Sequence, residues 1–202
     1  PSEWRENAFD CNNLQDSNRS RSACTQASGL PPDVSPHSRE PGFKKRKTVP
    51  DIPTKASIAS LVAVRKAEAR HEVLLLKRTQ TLAGEWCQIA GSIEDGETAW
   101  QAALRELDEE TGLRPAEFYS ADTCEQFYEP DRDRSTIAPV FVAFVDRAAK
   151  GTLNREHSDH RWVGFDEAVE MVTFGGQRRV LRWIEEEFVR RQPSKHLLIK
   201  FD

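Results

Sequence analysis

GSIEDGETAWQAALRELDEETGL, residues 91–113, is the stretch that decides the fold. Glu106, Asp108, Glu109 and Glu110 fall within five positions of it. On a period of 3.6, Trp100, Ala103, Leu104 and Leu107 share one stripe, the side expected to meet a core. Glu106, Glu109 and Glu110 stand at i, i+3 and i+4 and converge on a different face. Like charges at i and i+4 destabilise a helix by about 0.2–0.5 kcal/mol. Anions in its last turns oppose the macrodipole by about 0.3–1 kcal/mol each. Gly112 then offers a left-handed stop. Stability alone does not select this arrangement. A hard divalent cation reverses the account, because it wants several oxygen ligands, and magnesium also accepts waters and substrate phosphates. The competing reading is an ordinary solvated acidic face. The preceding loop, Gly91-Ser92-Ile93-Glu94-Asp95-Gly96-Glu97, favours a site. Its glycines bracket a turn where backbone can approach a ligand closely. Glu97 is also placed to pair with Arg105 and hold the ligands in register.

Outward from this stretch, composition sets limits. The chain has 202 residues, enough for one ordinary domain with some left over. Its formal charge of -4 gives no global push towards nucleic acid or acidic membranes. Cys11, Cys24, Cys87 and Cys124 form no CxxC pair, which argues against a zinc or disulfide framework and fits a reducing cytoplasm. Apolar runs such as Val140–Val145 fall far short of the roughly 20 residues of a membrane helix.

Residues 1–53 hold seven of the eleven prolines and little periodic apolar content, and read as a flexible tail before a domain at 54–202. The run Lys44-Lys45-Arg46-Lys47 is a targeting address, a phosphate-contacting patch or a solvated face. Ser57–Arg65 and Glu72–Lys77 read as an antiparallel strand pair across the polar hinge KAEARH, with Glu85–Ala90 a short third strand. Thr98–Glu110 is the acidic helix. Glu117–Phe127 and Thr136–Val145 read as strands around the loop YEPDRDRS, and Arg161–Phe165 as a short one. Asp166–Val172 reads as a brief helix and Gln177–Arg191 as a longer amphipathic one, with His196–Phe201 a last strand. Strands outnumber helices without regular alternation, which predicts an α+β fold with a mixed sheet.

Gly91, Glu97, Arg105-Glu106-Leu107, Glu109-Glu110, Gly112 and Leu113 match the Nudix box, GX5EX7REUXEEXGU, at every fixed position. The chain therefore resembles the Nudix hydrolases, and the likeness extends over roughly residues 55–191. The resemblance implies a Nudix-type α/β/α sandwich and hydrolysis of a nucleoside diphosphate linked to another moiety, with magnesium or manganese as cofactor. It implies Glu106, Glu109, Glu110 and the Gly91 carbonyl as metal ligands, with Arg105 and Glu97 as an orienting pair. Such chemistry is coherent, since phosphoryl transfer needs positioning and charge neutralisation more than covalent participation.

Outside the box, Glu156 in the segment NREHSDHRW is the candidate base or further metal ligand. The pattern from Glu156 to Trp162 resembles the dihydroneopterin triphosphate and dATP pyrophosphohydrolases; the alternative is a loop carboxylate paired with Arg155 or Arg161. Zinc on Glu156, His157 and His160 lacks a thiolate or third histidine. Arg78 resembles the basic residue that contacts terminal phosphates, and Arg132 and Arg134 are placed to reach a triphosphate unless neighbouring aspartates balance them. Tyr128 and Trp162, with Trp86 and Phe127, are candidates for stacking on a base or pterin ring, or else core residues; Trp183 reads as packing. Ala90 stands where many members have a second glycine, and the offsets of Tyr128 and Pro130 fit neither diadenosine polyphosphate nor ADP-ribose hydrolases cleanly. The expected partner is a small nucleotide or pterin polyphosphate, with no membrane, no basic stripe for nucleic acid and room for a homodimer. A non-catalytic Nudix module is the alternative class; modules of that kind typically lose box glutamates, and none is lost here.

Overall fold

The computed structural model describes residues 51–68, 70–148 and 151–201. The expectation of a tail over residues 1–53, and the basic run at 44–47, therefore lie almost wholly outside the described residues. Eight strands form one mixed sheet among the described residues. They are β1 (Thr54–Lys55), β2 (Ile58–Ala67), β3 (Arg70–Arg78), β4 (Trp86–Cys87), β5 (Ile89–Ser92), β6 (Pro115–Glu129), β7 (Arg134–Val145) and β8 (His157–Val163). The helices are α1 (Ala99–Thr111), α2 (Phe165–Met171) and α3 (Gly175–Ile184).

β2 is the hub of the sheet. It runs antiparallel to β3 and β5 and parallel to β7, with Ser60–Arg65 opposite Val140–Val145. β6 extends the sheet beyond β7, and β8 pairs with β3. The hydrophobic content explains why two helical layers cover this sheet. Leu61, Ala63, Leu74, Leu76, Phe118 and Phe141 point to one face and pack under Ala102, Ala103 and Leu107 of α1. Val62, Val64, Val73, Leu75, Val140 and Val142 point to the other and pack under Val169 of α2 and Val180, Leu181 and Ile184 of α3. The period-2 alternation of one strand thus feeds both cores, giving the α/β/α sandwich. No helix among the described residues is long and apolar enough to cross a membrane.

The elements depart from the sequence expectation where pairing overrides local polarity. The hinge KAEARH is mostly strand, because Lys66 pairs with His71 and Ala67 with Arg70. The expected strand Glu85–Ala90 splits at Gln88: Trp86–Cys87 joins β3 while Ile89–Ser92 joins β2. The short strand expected at Arg161–Phe165 begins earlier, at His157, held by β3, and Phe165 starts α2 instead. α3 continues beyond Ile184 as a wider π-helical turn, Glu185–Arg190, which keeps Phe188 buried. His196–Phe201 is not a strand. A 3-10 turn at Lys195–Leu197 precedes a lone bridge from Leu198 to Tyr119 and a bond from Ile199 N–H to the Phe118 carbonyl at 2.8 Å.

Candidate active site

The acidic helix is anchored at both ends. Gln101 Oε1 accepts from the Thr98 N–H at 2.9 Å and from the Thr98 hydroxyl at 2.8 Å. Gly112 closes the helix at φ 66, and its N–H bonds the Asp108 carbonyl at 2.7 Å. With these ends fixed, α1 lays its apolar stripe on the sheet and sets Glu106 against Gly91 of β5.

Arg105 organises that junction. Its guanidinium donates to Glu97 Oε1 at 2.8 Å and Glu97 Oε2 at 3.1 Å, and to the Ser92 carbonyl at 2.8 Å. The same group holds Glu106 Oε1 at 2.8 Å and Glu109 Oε2 at 3.1 Å. Bonds to Glu97, Glu106 and Glu109 hold the guanidinium charged more firmly than usual, while Arg105 and a bond from the Glu94 N–H hold Glu97 below the ordinary carboxylate range. A bidentate pair that also spans the loop gives geometry rather than bulk stability.

Gly91 lies directly against Glu106. A Cβ built there would stand 1.9 Å from the Glu106 carboxyl carbon and 1.9 Å from its Oε1. A methyl at this position would force the Glu106 carboxylate to move from where it now stands. Ala90, at the position where many members have a second glycine, is half-buried and paired with Ser60.

Glu110 is the unusual group. It is 4% exposed, and its Oε2 has no hydrogen-bond partner. Burial, and then the charge of Glu106, push its pKa up to about 8, against partial relief from Arg78. Burial likewise raises Glu106. A buried carboxylate with an unanswered oxygen is among the costliest arrangements in a protein interior. Glu109 is more open, with 58% of its side chain exposed.

The segment after β7 closes the site. Thr152 N–H bonds the Thr111 carbonyl at 2.8 Å and Asn154 N–H bonds the Glu110 carbonyl at 3.3 Å, docking the loop on the end of α1. Glu156 follows. Its carbonyl accepts from Thr79 N–H at 2.9 Å and the Thr79 hydroxyl at 2.8 Å, and its N–H bonds Asn154 Oδ1 at 3.0 Å. The Glu156 carboxylate is exposed, yet near enough for its charge to raise both Glu106 and Glu110. His157 is buried and bonded through Nδ1 to Asn154 Oδ1 at 3.2 Å, and burial lowers its pKa. His160 is exposed.

Among the described residues, no three His, Cys, Asp or Glu side chains stand in a ready coordination cage. Of the zinc candidates, His157 is already bonded to Asn154 and His160 is exposed. For the box carboxylates the reason is local: Arg105 draws Glu106 and Glu109 onto itself. The donor set nonetheless fits a hard cation, because Glu110 Oε2 is orphaned and the neighbouring groups are all oxygen donors.

The expected substrate contacts fare unevenly. Arg78 faces Glu110 and Cys87, donating to the Cys87 Sγ at 3.8 Å, while its Nε bonds the Thr81 carbonyl at 2.9 Å. Arg132 and Arg134 are both engaged by Glu129, at 3.0 Å and 2.8 Å, rather than by neighbouring aspartates. Those arginines and Thr136 push Glu129 down to about 2. Tyr128 is half exposed and donates to Asp133 Oδ1 at 2.7 Å. Trp162 packs on the α1-side core with Arg65 stacked 4.3 Å from its ring, so one face is taken. Trp86 has Lys77 and Arg161 over its ring, at 5.8 Å and 5.2 Å from its centroid. Trp183 is 39% exposed and not simply packing. Sequence reasoning missed Thr79, which holds the Glu156 carbonyl from 77 residues earlier in the chain, and the docking of Asn154 N–H on the Glu110 carbonyl.

A family model described as the NUDIX domain matches residues 55–184. The asymmetrical bis(5'-nucleosyl)-tetraphosphatase of Caenorhabditis elegans is 26% identical over 126 residues, which cover 61% of this chain and 90% of that protein. An octanoyltransferase of Myxococcus xanthus is 30% identical over 136 residues, 65% of this chain, but the match spans only 37% of that protein. A C. elegans Ap4A hydrolase in a binary complex has a similar fold, with TM-score 0.58 and 23% identity over 65% of this chain and 96% of that one. The E. coli dihydroneopterin triphosphate pyrophosphohydrolase gives TM-score 0.52 and 23% identity, over 67% of this chain and 99% of that one. Those two structures bear on fold alone, so the dihydroneopterin subgroup is not singled out. The box, the sandwich and the family match agree: the chain belongs to the Nudix hydrolase family.

Proposed function

We propose that the chain is a divalent-metal-dependent pyrophosphohydrolase that cleaves a diphosphate linkage in a nucleoside or pterin triphosphate, or in another nucleoside diphosphate derivative. The observation that carries this reading is Glu110, buried, with Oε2 unpartnered beside Glu106, Glu109 and Glu156. Glu106, Glu109, Glu110 and the Gly91 carbonyl would hold magnesium or manganese, with Glu156 as a further ligand or as the base. When bound, the ion neutralises phosphate charge and lowers the pKa of the attacking water. Arg105 and Glu97 keep the carboxylates in register with the loop. Glu156, held through its main chain by Thr79 and Asn154, would as base accept a proton from the attacking water. Arg78 lies on the Glu110 side, where a cationic group suits a polyphosphate. Cys87 and Cys124 are free thiols, which suits a reducing cytoplasm.

A second reading, hydrolysis of diadenosine polyphosphates, is favoured by the likeness to the C. elegans tetraphosphatase. A panel of dNTPs, dihydroneopterin triphosphate, ADP-ribose and diadenosine tetraphosphate, incubated with magnesium and resolved by product, decides between them. Metal-dependent release of pyrophosphate or phosphate is expected. Silence across the panel with both magnesium and manganese contradicts the enzymatic reading and favours a nucleotide-sensing module.

A further inference from the structure

The loop between β7 and β8 ties two parts of the site together. The last carbonyls of a helix have no partners within it. At the end of α1, Thr152 N–H takes the Thr111 carbonyl at 2.8 Å and Asn154 N–H takes the Glu110 carbonyl at 3.3 Å. Leu153, between them, packs against the α1-side core. The loop is thereby held in register with the helix that carries Glu106, Glu109 and Glu110. Asn154 turns its side chain the other way. Its Oδ1 accepts from Glu156 N–H at 3.0 Å, two residues on, and stands 3.2 Å from His157 Nδ1. A backbone N–H can only donate, so the amide oxygen must face it, and His157 must then donate from Nδ1.

Strand pairing does not supply this placement. Asp159 lies opposite Lys77 but His157 lies opposite Arg78, so Ser158 is an extra residue and the ladder is irregular at the start of β8. Glu156 comes just before that irregularity. Its carbonyl is anchored from the β3 side by Thr79, through N–H at 2.9 Å and hydroxyl at 2.8 Å. Its N–H is anchored by Asn154 alone, and its carboxylate is exposed. With one anchor removed, the chain is free to turn about the other.

We propose that Asn154 is a positioning residue: bound to α1 through its main chain and to Glu156 and His157 through its amide, it sets where the Glu156 carboxylate stands relative to Glu106 and Glu110. This role rests on the pyrophosphohydrolase reading, in which Glu156 is base or further ligand, and deepens it by naming the residue that fixes Glu156. The residue type suits the task. Aspartate would accept the same two bonds, but would add a charge to a site that already gathers Glu106, Glu109, Glu110 and Glu156. An amide supplies the acceptor without the charge.

The test compares the full chain with Asn154→Ala and Asn154→Asp. Alanine keeps the N–H that bonds the Glu110 carbonyl, so it removes the part played by the amide alone. Amide hydrogen exchange, read by NMR without metal or substrate, should quicken about tenfold or more at Glu156 N–H in Asn154→Ala. Asn154→Asp, which keeps an acceptor, should recover that protection and part of the rate. Turnover of whichever panel compound the wild type cleaves should lose about 10- to 100-fold in kcat with little change in KM. Manganese uptake, read by calorimetry, should change far less than kcat, since the α1 carboxylates are untouched. In a Glu156→Gln background, Asn154→Ala should cost nothing further, because residues that act through one another are not additive. An equal loss in both backgrounds overturns the proposal, as does unchanged exchange at Glu156 or a wild-type kcat. Silence of the wild type across the panel removes the pyrophosphohydrolase reading instead; the exchange measurement then decides by itself whether Asn154 fixes Glu156.

Discussion

Replacing Glu110 with glutamine should stabilise the protein, and by an amount that depends on pH. Glu110 is nearly inaccessible, and burial lifts its pKa from 4.5 to about 8. A carboxylic acid whose folded pKa is raised holds its proton more tightly in the folded state. Its favourable contribution is present below pH 4.5 and is lost as pH rises through 8. At about 1.4 kcal/mol per pH unit, the ionised form destabilises the fold by at most about 5 kcal/mol above pH 8. Glutamine is nearly isosteric and carries no charge, so this penalty vanishes. Urea unfolding of both proteins with a chelator present at pH 5, 7 and 9 reads the effect. The variant should be about equal to wild type near pH 5 and more stable at pH 9, by several kcal/mol, or on the order of 10 °C in Tm for a domain of this size. A difference that stays constant with pH, or a variant weaker than wild type at pH 9, refutes the idea that this carboxylate is held against its own preference.

Other perturbations follow from the same geometry. Gly91→Ala should lower kcat about 100-fold with little change in far-UV circular dichroism, since its methyl would displace the Glu106 carboxylate by an ångström or more. Arg105→Lys keeps the charge but loses the fork that joins Glu97, Ser92, Glu106 and Glu109, and should cost about 10- to 100-fold in kcat/KM without abolishing metal uptake. Glu156→Gln should lower kcat by about 100-fold, as loss of a general base does, while metal affinity falls less; a wild-type rate dismisses the assignment. Removal of residues 1–50 should leave nucleotide turnover unchanged in a steady-state assay, because the described fold and every candidate site residue lie beyond them.

Much of the site was legible because its determinants are local. The Nudix box spans residues 91–113, and the i, i+3, i+4 spacing of its glutamates announces a shared helix face before any coordinate is known. The helix stop at Gly112 and the Glu97–Arg105 pair appear where spacing placed them. What spacing did not convey was the burial of Glu110. The loop at Thr152 and Asn154, which bonds the Thr111 and Glu110 carbonyls from some forty residues away, is one such non-local element at this end of α1. Arg132 and Arg134 misled for a related reason: their partner, Glu129, precedes the turn and reaches both across the β6–β7 hairpin. The split at Gln88 had no local signal either, because the two halves of that segment pair with different strands of an opened hairpin. Gln88 itself reads as an unremarkable polar residue until Ser60 and Glu125 close on it from β2 and β6.

Whether a divalent ion resolves the crowding around Glu110 decides the function of the site. Titration of the full chain with manganese, followed by calorimetry and by thermal unfolding, measures this directly. Saturable uptake, a Tm that climbs with metal concentration, and loss of both in Glu109→Gln and Glu110→Gln are the predicted results. No uptake by wild type, even with a non-hydrolysable triphosphate present, would contradict it.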